Sequence, residues 1–218
     1  MIYSSGIVRL ALRPLVCVLA IGVADANMTG ALASDQAAAA LLPADRMWLD
    51  RIQTYLNGIV TLKAQFQQLA PNGKRETGTV WLSRPGRLRF AYNKPSALLL
   101  VANHGQLVFN DSQLGQTTTL PLDHTPLGLL LRPVLKLSGD VTVTNFVHSN
   151  GQVIITLVRT ASPGEGSLTL MFRDDPLSLQ SWTVIDSQGQ ETRVDLFNAR
   201  WGNEPLPDAL FNTDIGDQ

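Results

Sequence analysis

Between Leu62 and Phe197 the chain repeats one pattern: short runs in which apolar and polar side chains alternate, each closed by a turn signal. Successive side chains on a strand point to opposite faces, so alternation of this kind is the mark of half-buried strands. Leu62, Ala64 and Phe66 open the series, residues 71–74 (PNGK) mark a turn, and residues 77–83 and 87–92 alternate again. Residues 98–102 and 107–110 are short apolar runs separated by Asn103-His104-Gly105, and residues 117–122 are rich in Thr. Residues 141–147, 153–159, 167–173, 179–185 and 192–197 follow, punctuated by Asn150-Gly151, Pro163-Gly164 and Gln188-Gly189. That amounts to about eleven strands at close, regular spacing, the arrangement of an antiparallel sheet, barrel or half-barrel. No composition break divides them, so the expectation is a single, mainly β domain.

Two segments depart from the period of two. Over residues 45–59, Trp48, Leu49, Ile52, Tyr55, Leu56 and Ile59 recur at helical spacing, with Gly58 placed as a stop. This predicts one amphipathic helix that must lie against the sheet. Over residues 125–133, Thr125 is placed as an N-cap, Pro126 at the first helical position and Pro133 as the stop, with four Leu between. A helix so short is unstable alone and needs tertiary contact, and Leu127, Leu130 and Leu131 share one face for making it. The segment reads either as a core-packing turn or as a movable lid over an apolar cavity.

The N-terminus has a different logic. Arg9 and Arg13 precede an apolar run, residues 15–24, and two small-residue sites, Ala24-Asp25-Ala26 and Ala31-Leu32-Ala33. A basic segment, an apolar core too short to span a bilayer and an A-x-A site predict a cleaved export signal, cut after Ala26 or Ala33. Residues 34–218 are then the mature domain. Cys17, the single Cys, leaves with the signal, and Val16 before it does not fit a lipid-attachment site. The whole chain carries 17 basic and 18 acidic side chains, a formal charge of -1, and no cationic run. Polyanion binding needs clustered cations, so nucleic acid is excluded as a partner.

Catalytic chemistry has little to stand on. His104, His124 and His148 lie in turn-like or strand-end contexts without ligand spacing, and read as solvated; no metal site is expected. Gly164-Glu165-Gly166-Ser167 lacks the third glycine and the following helix of a dinucleotide loop, and reads as a hairpin turn. Asp174-Asp175-Pro176 reads as an exposed turn. There is no G-x-S-x-G elbow and no P-loop, so neither catalytic residues nor cofactors are assigned. A hydrolase assembled from residues distant in sequence stays as the less favoured alternative.

Gly78-Thr79-Val80-Trp81, then Arg84-Pro85-Gly86 and Arg89-Phe90-Ala91-Tyr92, resembles the signature of the LolA family of periplasmic lipoprotein carriers. Residues 62–68 resemble that family's first strand. Asn103-His104-Gly105 with Phe109 stands where the family has a turn and an aromatic, Thr125-Pro126 where its lid opens, and residues 186–192 match its D-x-x-G-Q-x-T hairpin. The resemblance spans about residues 45–211.

What the resemblance implies is an incomplete, half-open antiparallel β-barrel, with an N-terminal helix and a short helical lid enclosing an apolar cavity for acyl chains. Leu88, Phe90, Tyr92, Leu98, Leu100 and Phe109 would line the cavity, Leu127, Leu130 and Leu131 would form the lid, and Arg84 would latch it. The implied partners are acylated lipoproteins, an inner-membrane lipoprotein-releasing ABC transporter, and an outer-membrane lipoprotein receptor or the outer membrane itself, served by a monomer. A lipid-binding or lipoprotein-sensing protein of the same fold is the alternative. Two departures stand out: residues 212–218 replace the family's apolar or Pro-Pro-Gly tail, and Leu88 replaces a bulkier aromatic.

Overall fold

The computed structural model describes residues 43–213. The expected export signal, residues 1–33, and residues 214–218 lie outside the described residues.

Helix α1 (Pro43–Asn57) begins two residues before the expected start, since Pro is tolerated in a first turn whose amides have no intrahelical partner. Asp45 sits in that turn, where a carboxylate suits the positive end of the helix dipole. Leu49, Ile52 and Leu56 are its buried stripe, and the helix closes with the Gly58 amide donating to Thr54 O at 3.0 Å.

The strands are β1 (Thr61–Leu69), β2 (Arg75–Ser83), β3 (Arg87–Tyr92), β4 (Leu98–Asn103), β5 (Gln106–Asp111), β6 (Gln116–Pro121), β7 (Val141–Ser149), β8 (Gln152–Arg159), β9 (Gly166–Asp174), β10 (Leu177–Asp186) and β11 (Glu191–Gly202). They form one sheet in the order β6-β5-β4-β3-β2-β1-β11-β10-β9-β8-β7, with every adjacent pair antiparallel. β6 and β7 share no ladder, so the barrel is not closed. The chain between them makes a 3-10 turn (Leu122–His124), the short helix α2 (Leu127–Leu130) and a loop up to residue 140.

Alternation decides which face is which. Leu82, Leu88, Phe90 and Leu100 fall on the inner face, while Trp81, Arg89 and Leu99 fall on the outer one. A bulge between Lys63 and Gln65 on β1 and Arg200 and Phe197 on β11 adds one residue to β11, where Asn198 takes φ 52°. The extra residue turns Trp201 toward the core, where it meets Tyr55 of α1 edge-on at 6.1 Å.

Phe66, Phe90, Trp182 and Phe172 form the aromatic part of the core. Phe66 contacts Phe90 at 4.8 Å and Tyr92 at 5.2 Å between ring centroids, although its strand and theirs are separated by β2. Gly78 makes this possible: a Cβ there would stand 2.7 Å from the Phe66 ring and 2.1 Å from Ala91 O. On the outer face, residues 203–211 form a strap ending in a 3-10 turn (Asp208–Phe211). Asn103 Nδ2 donates to Phe211 O at 2.8 Å, and Arg87 both pairs with Asp208 at 2.5 Å and lies over the Phe211 ring.

Candidate functional site

The inner face and the β6–β7 connection enclose a cavity of about 510 Å³. Its walls are Phe90, Leu100, Leu107, Leu120, Trp182, Val184 and Val194, and Pro126 and Leu127 of the α2 segment close it. Leu120, Pro121, His124, Ser187 and Gln188 are its exposed lining residues and mark its mouth, and Glu165 and Asp186 also line it. A larger groove of about 720 Å³ on the outer face, between the strap and Trp81, Arg89 and Leu99, includes the Arg89 guanidinium. The inner cavity is the one whose walls are mainly apolar, with a few polar side chains such as Gln68 and Thr192 among them, an arrangement that suits an amphiphile.

Cross-strand pairing explains which expected residues reach this space. Phe90, Leu100 and Phe109 are successive partners in one row, and Leu88, Tyr92 and Leu98 share their face. Phe90 and Leu100 line the cavity. Leu88 is fully buried beside it in the packed core, Leu98 is half-buried, and Phe109 is exposed near the free edge. Tyr92 donates its hydroxyl to Gln68 Oε1 at 2.8 Å. Burial, then the Glu76 carboxylate, pushes the Tyr92 phenol well above its ordinary range, while the Gln68 bond pulls the other way.

The α2 segment is buried on all sides: Leu127, Leu130 and Leu131, expected to form one face, are joined by Leu129 at 1% exposure. A four-residue helix has too little length to present a solvent face when the sheet, α1 and the following loop surround it. Thr125 caps it, its Oγ1 accepting from the Gly128 amide at 3.3 Å while donating to Leu122 O at 2.8 Å. Gly128 is required by close approach, since a Cβ there would meet Leu122 O at 2.3 Å.

Arg84, in the β2–β3 turn, is 8% exposed. Its Nε donates to Leu130 O at 2.9 Å and its Nη1 to Leu56 O at 2.5 Å, while the Gly86 amide donates to Leu131 O at 2.9 Å. Among the described residues no carboxylate pairs with Arg84. Burial lowers its pKa to about 10, which leaves it a cation at neutral pH. The charge is accommodated by carbonyls at the negative end of α1, whose last turn has no basic residue of its own. One guanidinium thus joins α1 to α2, using the several donors of its planar fork.

Sequence reasoning overlooked other ties. Asn57 makes a two-way clamp on the loop after α2, Nδ2 donating to Leu135 O and Oδ1 accepting from the Leu135 amide, both at 2.9 Å. Gln53 Oε1 accepts from the Leu137 amide at 2.9 Å. On the sequence these residues belong to the polar side of α1; only the unsatisfied amides of an irregular buried loop give them work. Tyr55 likewise accepts the Leu179 amide at 3.1 Å, and burial raises its phenol despite that bond.

The histidines differ in circumstance. His104 is exposed in a turn at φ 47° and His124 stands at the cavity mouth. His148 is exposed, as expected, and also packs 4.4 Å from the Trp48 ring and pairs with Asp174 Oδ2 at 3.1 Å. Asp174 ends β9 and makes this contact, while Asp175 and Pro176 form the expected exposed turn. Among the described residues, no three His, Cys, Asp or Glu side chains converge to hold a metal, and no helix is long and apolar enough to cross a membrane.

Residues 57–214 match the family model described as outer membrane lipoprotein carrier protein LolA. An outer-membrane lipoprotein carrier protein of Pseudomonas fluorescens is 31% identical over 182 residues, covering 79% of this chain and 86% of its own. One of Leptothrix cholodnii is 30% identical over 170 residues, covering 73% and 78%. Among solved structures, a putative outer membrane lipoprotein-sorting protein domain from Vibrio parahaemolyticus is similar with a TM-score of 0.46 and 8% identity, covering 75% of this chain and 95% of its own. A LolA superfamily protein from Nitrosomonas europaea is similar with a TM-score of 0.42 and 10% identity, covering 76% and 98%.

Proposed function

Because the chain belongs to the LolA family of outer membrane lipoprotein carrier proteins, we propose that it is a periplasmic carrier, exported by a signal cleaved after Ala26 or Ala33, that binds lipoprotein acyl chains by inclusion and performs no turnover. It receives cargo from an inner-membrane lipoprotein-releasing ABC transporter and delivers it, as a monomer without cofactor, to an outer-membrane receptor or to the outer membrane itself. The observation that carries this reading is the apolar cavity closed by a leucine turn that a buried, carboxylate-free Arg84 holds in place. Phe90, Leu100 and Leu127 are the residues that meet the acyl chain.

Capacity supports a moving lid. Giving each methylene about a water molecule's share of liquid volume, ~30 Å³, a cavity of about 510 Å³ holds roughly 17 methylenes, one long acyl chain. A triacylated cargo therefore fits only with Leu127 and Leu129–Leu131 displaced. Each buried methylene contributes about 0.8 kcal/mol, enough over a few chains to drive that displacement, and returning lid leucines then favour release.

Mass spectrometry of what co-purifies with the mature protein from the periplasm tests the reading. A triacylated lipoprotein is the expected companion. A free phospholipid or glycolipid would transfer the cavity to a general lipid-binding role, and turnover of an ester substrate would restore the hydrolase alternative.

A further inference from the structure

A second arginine holds the opposite end of the α2 segment. Arg159, the last residue of β8, donates from Nη2 to Thr125 O at 3.0 Å, and its Nε lies 3.4 Å from Glu165 Oε2 in the β8–β9 turn. Its side chain is 14% exposed. Burial and the nearby Arg132 disfavour its charge, while Glu165, Asp123 and Asp140 support it.

The two ends of the segment are tied unequally. At the Thr125 end, the Leu122 amide donates to Gly105 O at 2.8 Å, Thr125 Oγ1 bridges Leu122 O and the Gly128 amide, and Arg159 fixes the Thr125 carbonyl from outside. Gly128 is pressed against Leu122 O so closely that no Cβ fits. At the Leu130 end the external bonds on the lid itself are those of Arg84 Nε and the Gly86 amide, and the next ties, from Asn57 to Leu135 and from Gln53 to Leu137, lie beyond the Arg132-Pro133-Val134 stretch. When this end leaves, Arg84 retains its bond to Leu56 O, so no buried cation is stranded. At the Thr125 end, departure strips Arg159 of its carbonyl partner and leaves it facing Arg132 with Glu165 as its nearest counter-charge.

We propose that Arg159, oriented by Glu165, is a positioning residue that pins the Thr125 end of the lid as a fixed hinge at the cavity mouth, so that the lid opens as a flap from its Arg84 end. Cargo then enters past a rim that does not move, and the cavity lengthens inward toward α1. The proposal deepens the carrier reading, and rests on it only for this consequence for cargo.

Site-resolved amide hydrogen exchange on the lipid-free mature protein tests the hinge without requiring any cargo, so its outcome is separate from that of the carrier reading. In Arg84→Met, the Leu131 and Gly86 amides should lose protection by about tenfold or more, as expected for loss of a charge-assisted hydrogen bond, while Thr125 and Gly128 keep theirs. In Arg159→Met, Thr125 and Gly128 should lose protection by a similar factor. Glu165→Gln lies in the partly exposed β8–β9 turn, tolerates folding and should give a smaller loss of about threefold at the same two amides, keeping the test decisive if Arg159→Met does not fold. Release of all lid amides together in Arg84→Met, or unchanged Thr125 and Gly128 amides in the Arg159 and Glu165 variants, would overturn the hinge.

Discussion

Replacing Arg84 by Met removes the proposed latch while keeping an unbranched side chain of similar reach. Burying Leu127, Leu129, Leu130 and Leu131 favours closure by about 1.5–3 kcal/mol each. Ordering the six residues 126–131 opposes it by about 1–2 kcal/mol each, so the two contributions are of similar size and the latch decides the balance. One of Arg84's two charge-assisted bonds reaches the lid, and at about 1.5–3 kcal/mol its loss should raise the open fraction roughly 10- to 150-fold. Global stability should move less. The variant gives up both bonds, but it also removes a buried cation whose pKa of about 10 reflects a burial cost on the order of 3 kcal/mol. Stopped-flow binding of a dansylated fatty acid, beside a urea unfolding curve, separates the two effects. The expected result is faster association and dissociation with a urea midpoint close to the parent's. An unchanged association rate, or a midpoint that collapses in step with binding, would refute the view that Arg84 acts on the lid and not on the fold.

Other outcomes follow from the same geometry. Leu100→Trp projects into the cavity and should weaken dansyl fatty acid binding about tenfold, at less than the ~1–3 kcal/mol that overpacking a filled core costs, as equilibrium titration and urea denaturation will show. Gly128→Ala forces the α2 segment away from Leu122 O and should lower the midpoint of thermal unfolding by an amount equivalent to about 1–3 kcal/mol, measurable by calorimetry. Among the described residues the tyrosines are Tyr55 and Tyr92, both with phenols raised above the ordinary 10.0. Their contribution to stability is therefore complete below pH 10 and declines as pH rises beyond it, because the unfolded chain ionises first. Absorbance of tyrosinate should accordingly appear above pH 10 together with loss of near-ultraviolet circular dichroism; a clean titration at 10 in the folded protein would contradict the burial.

The strands were legible because each carries its own period of two, from Leu62-Ala64-Phe66 onward, and the order of the sheet follows from hairpin after hairpin. α1 was legible from Leu49, Ile52 and Leu56 alone. Arg84 was marked by its place between Trp81 and Phe90, but its partners were not, since backbone carbonyls at Leu56 and Leu130 have no sequence signature. Arg159 ends an ordinary strand, and Asn57 and Gln53 resemble any polar helix positions; their roles arise from a loop whose amides need partners once it is buried. Alternation does not distinguish Leu88 in the packed core from Leu100 at the cavity wall, because that difference depends on what lies above each.

The seam between β6 and β7 is spanned by chain and not by ladder bonds. Widening it breaks side-chain contacts and a few loop bonds, and leaves all ten strand pairings in register. Girth at the seam can therefore vary smoothly, whereas a closed barrel would have to change in whole steps of register. On the carrier reading, the same container can then grip a slender guest and a bulky one without being rebuilt for either.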